Sequence, residues 1–329
     1  MKIDCHTHFL PKAMLEEIGR KGGSYGMELQ SGAGGELKLL MHGVPHPPLT
    51  PFVNVDAHLA HMASSGIDTH VVWQSSRPNI FWADGALGLA LSEIINDEYA
   101  ALESSHPGRF IGIGSVPLQD MSKALAELQR AVTKKGLRGV MANTNIKGQY
   151  LDDPYFWPFY EALEHLDIPL FLHPANPFGG DKLNEFHMKF LMGLPGDTTL
   201  CIARMIFSGT LDRFPRLRLM VPHGGGMLPF LQGRLDHGFN VRPECRNIKR
   251  KPSEYFERML FDTVVYSPEI LGAAAKSHRF ALGSDFPYDM ADPNPVETVA
   301  KAPDINQKSQ QEIFSRNLLD FLGAKRSAP

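Results

Sequence analysis

Four short stretches carry side chains suited to metal chemistry, and they are spread over nearly the whole chain: His6-Thr7-His8, Leu172-His173-Pro174, His223-Gly224-Gly225-Gly226 and Gly283-Ser284-Asp285-Phe286. On an extended segment, side chains two apart point the same way, so His6 and His8 can meet one ion together. Asp4 falls on their side, and Ile3, Cys5 and Thr7 on the other. Neutral imidazoles and a carboxylate suit zinc or a neighbouring first-row divalent ion, with one position left for water or substrate. Water on such an ion ionises near neutral pH and becomes a nucleophile. His223, with three glycines after it, looks less like a ligand than like a proton-transfer group with room for a substrate beside it. Each residue also has a plainer reading. His173 could be a hydrogen-bonded core histidine, Asp285 a helix cap and His223 a turn residue. The metal reading is favoured because every one of them closes or follows an apolar run.

Those runs are the elements that must position the residues. Strands are expected at 2–5, 69–74, 110–116, 139–143, 169–173, 217–222, 260–265 and 280–284, each followed by a segment of helical character. Ser122 can cap a helix through Thr133, and Ser267-Pro268 opens another. Segments 87–102 and 311–322 repeat apolar residues at three- and four-residue intervals. Leu170-Phe171-Leu172 and Leu219-Met220-Val221 are apolar without alternation, as in parallel strands covered on both faces. Eight β–α units predict an α/β fold, a (β/α)8 TIM-type barrel, with an open doubly wound sheet as the alternative. The site residues would then gather at the carboxyl ends of the strands. The Gly- and Pro-rich stretch at about 11–55 is too long for a structureless loop. It is expected to form short strands or loops over the barrel mouth, within a single domain spanning 1–329.

Bulk properties exclude several functions. The formal charge of −3 leaves no electrostatic footprint for nucleic acid or an anionic membrane surface. No uninterrupted apolar stretch of membrane-spanning length is evident. Three cysteines, Cys5, Cys201 and Cys245, without CxxC spacing rule out a disulfide framework and suit a reducing, cytoplasmic setting. Gly22-Gly23-Ser24-Tyr25-Gly26 matches the serine-hydrolase elbow, but that motif needs a buried strand before it, and Ile18-Gly19-Arg20-Lys21 is none. Phe178 and Phe286, next to His173-Pro174 and Asp285, are expected to line the pocket. His42, His58, His61 and His70 show no mutual ligand pattern.

Taken together the four stretches resemble the motifs of the amidohydrolase superfamily. The similarity is strongest to its branch of non-oxidative decarboxylases, in particular the 2-amino-3-carboxymuconate 6-semialdehyde decarboxylases. It runs nearly end to end and includes Val116-Pro117-Leu118-Gln119-Asp120 and Pro252-Ser253-Glu254-Tyr255. The resemblance implies a barrel holding one divalent metal, zinc first and manganese second, through His6, His8, His173 and Asp285. His223 would be the catalytic acid/base, with Asp285 as the other candidate proton donor. Arg234, eleven residues after His223, stands where this family binds a substrate carboxylate across a homodimer interface. The implied activity is decarboxylation of a small unsaturated or aromatic carboxylic acid; hydrolysis of an ester, lactone or amide is the alternative. One departure is plain: the family's second carboxylate-binding arginine falls near His46, and no arginine lies between Lys38 and Ser76.

Overall fold

Strands without apolar alternation need cover on both faces, and the computed structural model of the chain provides it: all four residues of Leu170–His173 and of Val140–Asn143 are buried. The structure describes residues 1–323 apart from 33–35, 76, 176 and 178. Among the described residues, eight parallel strands form a ring: β1 Ile3–His8, β2 Thr69–Trp73, β3 in two pieces (Phe110–Gly112 and Gly114–Ser115), β4 Val140–Asn143, β5 Leu170–His173, β6 Leu219–Val221, β7 Met259–Asp262 and β8 Phe280–Ala281. The first piece of β3 pairs with β2 and the second with β4, so one strand turns the corner between two sheets. The ring closes where Cys5 N donates to Leu282 O at 2.7 Å and Asp285 N to His6 O at 2.9 Å. These contacts give the eight-stranded barrel rather than the open sheet.

Helices cover the outside, and several of their starts are set by short polar side chains. Asp84 accepts from Ala86 N and Leu87 N to open Gly85–Ser105. Asp120, not Ser122, caps Met121–Thr133, because its carboxylate accepts from Lys123 N at 3.2 Å one turn into the helix. Ser267 caps Pro268–Ala274 as expected. One helical run, Lys189–Phe207, has the length and mean hydropathy of a membrane span, but charged residues interrupt it and half of it is buried against the fold. Its Asp197 accepts from Tyr150 Oη at 2.6 Å, and its Arg204 pairs with Asp152 at 2.7 Å.

The excursion after β1 contains a helix, Lys12–Lys21, that the sequence did not suggest, and three antiparallel strands, Met27–Ser31, Leu37–Met41 and Val44–Pro45. Met27, Leu39, Leu49 and Phe52 anchor it in the core. Ser24 sits exposed on a turn after that helix, with no strand before it, which removes the serine-hydrolase reading.

Candidate active site

The carboxyl ends of three barrel strands meet at one buried point. His6 and His8 come from β1, His173 ends β5, and Asp285 follows β8; their ligand atoms all lie within 4.8 Å of one another. His6 Nε2 and His8 Nε2 are 3.1 Å apart, and Asp285 Oδ1 is 3.0 Å from His8 Nε2 and 3.2 Å from His6 Nε2. Ligands about 2.1 Å from a common ion are spaced roughly 3.0–3.5 Å from each other. The far nitrogen of each ring is held by an acceptor: His6 Nδ1 by Asp262 Oδ2 at 2.6 Å, His8 Nδ1 by Gln74 O at 3.2 Å, His173 Nδ1 by Pro174 O at 2.8 Å. A ring that gives its Nδ1 proton outward presents a lone pair inward at Nε2. His173 Nε2 is buried with no hydrogen-bond partner, an arrangement that costs about 1–3 kcal/mol unless something binds there. The residues fit a divalent metal.

Local backbone makes this convergence possible. A register shift between Asp4 and Thr7 breaks the pairing of β1 with β2 beside the two histidines. Gly283 has no room for a side chain: a Cβ would lie 2.8 Å from Asp262 Cβ and 3.2 Å from His6 Cβ. Its absence lets the chain after β8 press between β7 and β1. Asp285 at φ +68° and His223 at φ +55° occupy the left-handed region, a strain characteristic of working residues. The glycines after His223 serve the turn more than the substrate, since a Cβ on Gly226 would collide with the Pro195 carbonyl.

The electrostatics ask for a cation. Burial opposes charge on His6, but the Asp285 and Asp262 carboxylates outweigh it and raise its pKa to about 10. Burial, reinforced by His8 and His6, pushes His173 well below the usual imidazole range. Burial would lift Asp285, yet His6, His223 and His8 hold it well below the ordinary carboxylate value. Asp262, which burial would also raise, is likewise held below the ordinary carboxylate value by His6 and His223, so two carboxylates stay ionised in a buried site.

His223 stands beside the cluster rather than in it. Its Nε2 is 3.6 Å from Asp285 Oδ2, the oxygen turned away from His6 and His8. Asp262 was missed by the sequence reading. Its Oδ2 accepts from His6 Nδ1 and, at 2.9 Å, from His223 N, while Oδ1 accepts from Gly224 N at 2.7 Å and Val264 N at 3.1 Å. One carboxylate therefore orients the His6 ring and fixes the backbone at His223. A lone acid within an apolar run was the available signal. Asp262→Asn keeps the shape but turns an amide N–H toward these donors; a 10- to 100-fold loss of metal affinity is expected, read as residual metal after dialysis against a chelator.

A cavity of about 550 Å³ opens from this cluster, lined by His173, His223 and Asp285 at its inner end and by Val44, Leu191 and Phe230 among its walls. Trp73 is fully buried beneath the histidines, its ring 4.6 Å from that of His6. Phe286 does not line the cavity as expected. Its ring stacks on His61 at 4.1 Å, within a group that also holds His58 and His70, because the residue after Asp285 turns back toward β2. Those three histidines do form a cluster: His58 Nδ1 is 3.0 Å from His70 Nδ1, and His61 Nδ1 is 3.2 Å from His70 Nε2. Burial keeps His58 neutral, down to about 3. Phe178 lies outside the described residues. Arg234 is exposed on the helix Leu228–Val241 and does not line the cavity of its own chain; Asp236, its nearest acid in sequence, is engaged by Ser253.

Residues 3–323 match the family described as Amidohydrolase. This chain belongs to the amidohydrolase family. Its relatives place it in the decarboxylase branch. The 2-amino-3-carboxymuconate-6-semialdehyde decarboxylase of Dictyostelium discoideum is 31% identical, over 98% of this chain and 92% of that protein. A gamma-resorcylate decarboxylase of Rhizobium sp. (strain MTP-10005) is 28% identical, over 88% of this chain and 89% of the other. The crystal structure of 5-carboxyvanillate decarboxylase LigW from Sphingomonas paucimobilis superposes with a TM-score of 0.85 at 27% identity, covering 98% of both chains.

Proposed function

We propose that this chain is a metal-dependent, non-oxidative decarboxylase of a small unsaturated or aromatic carboxylic acid. The observation that carries the reading is the buried cluster of His6, His8, His173 and Asp285, with His223 3.6 Å from the outer oxygen of Asp285 and an open cavity before them. The acids named for the relatives support the substrate class. Zinc is the ion we assign, since three imidazoles and one carboxylate suit it, with manganese next.

Bound there, a divalent ion supplies Lewis acidity that draws electron density toward the substrate's oxygens. The remaining chemistry belongs to the protein. His223 delivers a proton to the carbon bearing the carboxylate, with Asp285 placed to hold the imidazole and share the proton. The bond to the carboxylate then breaks, its electron pair restores conjugation, and carbon dioxide leaves. One proton is consumed for each carbon dioxide released, and no oxidant or reductant is needed.

We read the excursion at about 11–55 as a cover for the mouth, in line with Val44, Pro45 and Pro47 among the cavity's lining, and the chain as one catalytic unit acting in the cytoplasm. Arg234, exposed and away from its own cavity, suits a homodimer in which it reaches the other copy's site; sedimentation as a monomer would dismiss that. The activity is tested by loading the protein with metal and screening aromatic and muconate-type acids for carbon dioxide, beside a panel of esters and lactones. Carbon dioxide with a product lacking the carboxylate is the expected result. Ester or lactone cleavage without it would overturn the reading.

A further inference from the structure

Among the described residues, the cavity has one cation that the chemistry above leaves unused. Arg77 lies four residues past the end of β2, and it lines the same cavity as His173, His223 and Asp285. Its backbone is pinned. Arg77 N donates to Ser75 Oγ at 3.0 Å, the Ser75 hydroxyl donates to Arg77 O, and His46 Nε2 contacts that carbonyl too. The side chain, by contrast, is exposed, and among the described residues no carboxylate stands within ion-pair distance of it. Arg130 pairs with Asp97 and Glu127, Arg204 with Asp152 and Arg250 with Glu257, all away from the cavity. A guanidinium fixed at its root, facing a largely apolar cavity and lacking an acid, is a site for a planar anion.

His46 cannot take that role. Its Nδ1 contacts Pro47 O at 2.7 Å, its Nε2 is spent on Arg77 O, and burial lowers its pKa. It supports the arginine instead.

The reaction decides which anion Arg77 holds. Pairing with the departing carboxylate would stabilise the ground state more than a transition state that is losing that charge, and so would slow the step. A group that stays on the product carries no such penalty. We propose that Arg77 anchors a second carboxylate of the substrate, so that the enzyme acts on a dicarboxylic acid, one carboxylate held at Arg77 and the other lost beside His223. The proposal rests on the decarboxylase reading for which carboxylate is lost, but the anion subsite can be measured without turnover.

The probes are isophthalate and benzoate, titrated calorimetrically into the metal-loaded wild type and into Arg77→Gln and Arg77→Lys. Wild type is expected to bind isophthalate more tightly than benzoate. Arg77→Gln should weaken isophthalate about 10- to 100-fold, as expected for loss of a charged hydrogen-bonding partner, and leave benzoate and metal content unchanged. Arg77→Lys, which keeps the charge but not the two-pronged geometry, should fall between. Equal isophthalate affinity in wild type and Arg77→Gln, or no isophthalate binding to the wild type, would overturn the subsite. If the discrimination holds while no acid releases carbon dioxide, the subsite stands and the decarboxylase reading fails.

Discussion

Replacing His223 by asparagine is expected to lower kcat about 10²- to 10⁴-fold, the range for loss of a positioned proton donor, with metal content unchanged. Asparagine is the informative choice because it tolerates the left-handed backbone at φ +55° that this position requires. The hydrogen bond from residue 223 N to Asp262 can therefore persist, while the side chain no longer carries a transferable proton. The ligands His6, His8, His173 and Asp285 are untouched, so elemental analysis separates lost proton transfer from lost metal. Wild-type turnover in a metal-replete His223→Asn protein would take His223 out of the mechanism.

Removing the metal should abolish turnover. Dialysis against a strong chelator is expected to bring activity to background, and one equivalent of zinc or manganese should restore it. The same treatment should lower Tm, because an ion bound only to the folded state contributes about 4 kcal/mol when present at a thousand times its Kd. His173→Ala makes the complementary case. It deletes the imidazole whose Nε2 is buried without a partner, leaving three ligands, and purified protein should contain little metal and show no activity. Full activity in a preparation shown by elemental analysis to be metal-free would end the assignment. So would His173→Ala that retains both.

The two experiments probe one object, since Asp285 offers Oδ1 to the histidines at 3.0 and 3.2 Å and Oδ2 to His223 at 3.6 Å. Losing the ion should also loosen His223, and losing His223 should spare the ion. That asymmetry is itself measurable: metal content should follow activity in the ligand variants and not in His223→Asn.

The metal ligands were legible because each sits at the end of an apolar run or just after one, and a barrel gathers strand ends on one rim. Asp262 was hidden for a related reason. The apolar run was read through Val265, which places the acid inside a strand. The strand in fact stops at Asp262, whose two oxygens accept four N–H groups from β1, the turn after β6 and its own loop. No pattern within residues 259–265 can announce partners that far away in sequence. Phe286 failed likewise: adjacency to Asp285 fixed its position, but the positive φ of Asp285 sent the following ring back onto His61.

What the amino-acid order settled alone was a parallel α/β architecture, from unalternating strands separated by helical segments, and the ligand types, from histidines spaced by two and a Gly-Ser-Asp stretch. These are local matters of periodicity and side-chain chemistry. What only the tertiary structure decided was that the strands close into a barrel, which groups orient the ligands, and which cation lines the cavity. His46 occupies the place where an arginine was sought but is half-buried and engaged by backbone carbonyls, while Arg77, from a different strand end, lines the cavity. Such a substitution in space is set by how β2 and the excursion after β1 pack, and packing between distant segments leaves no trace in the spacing of either.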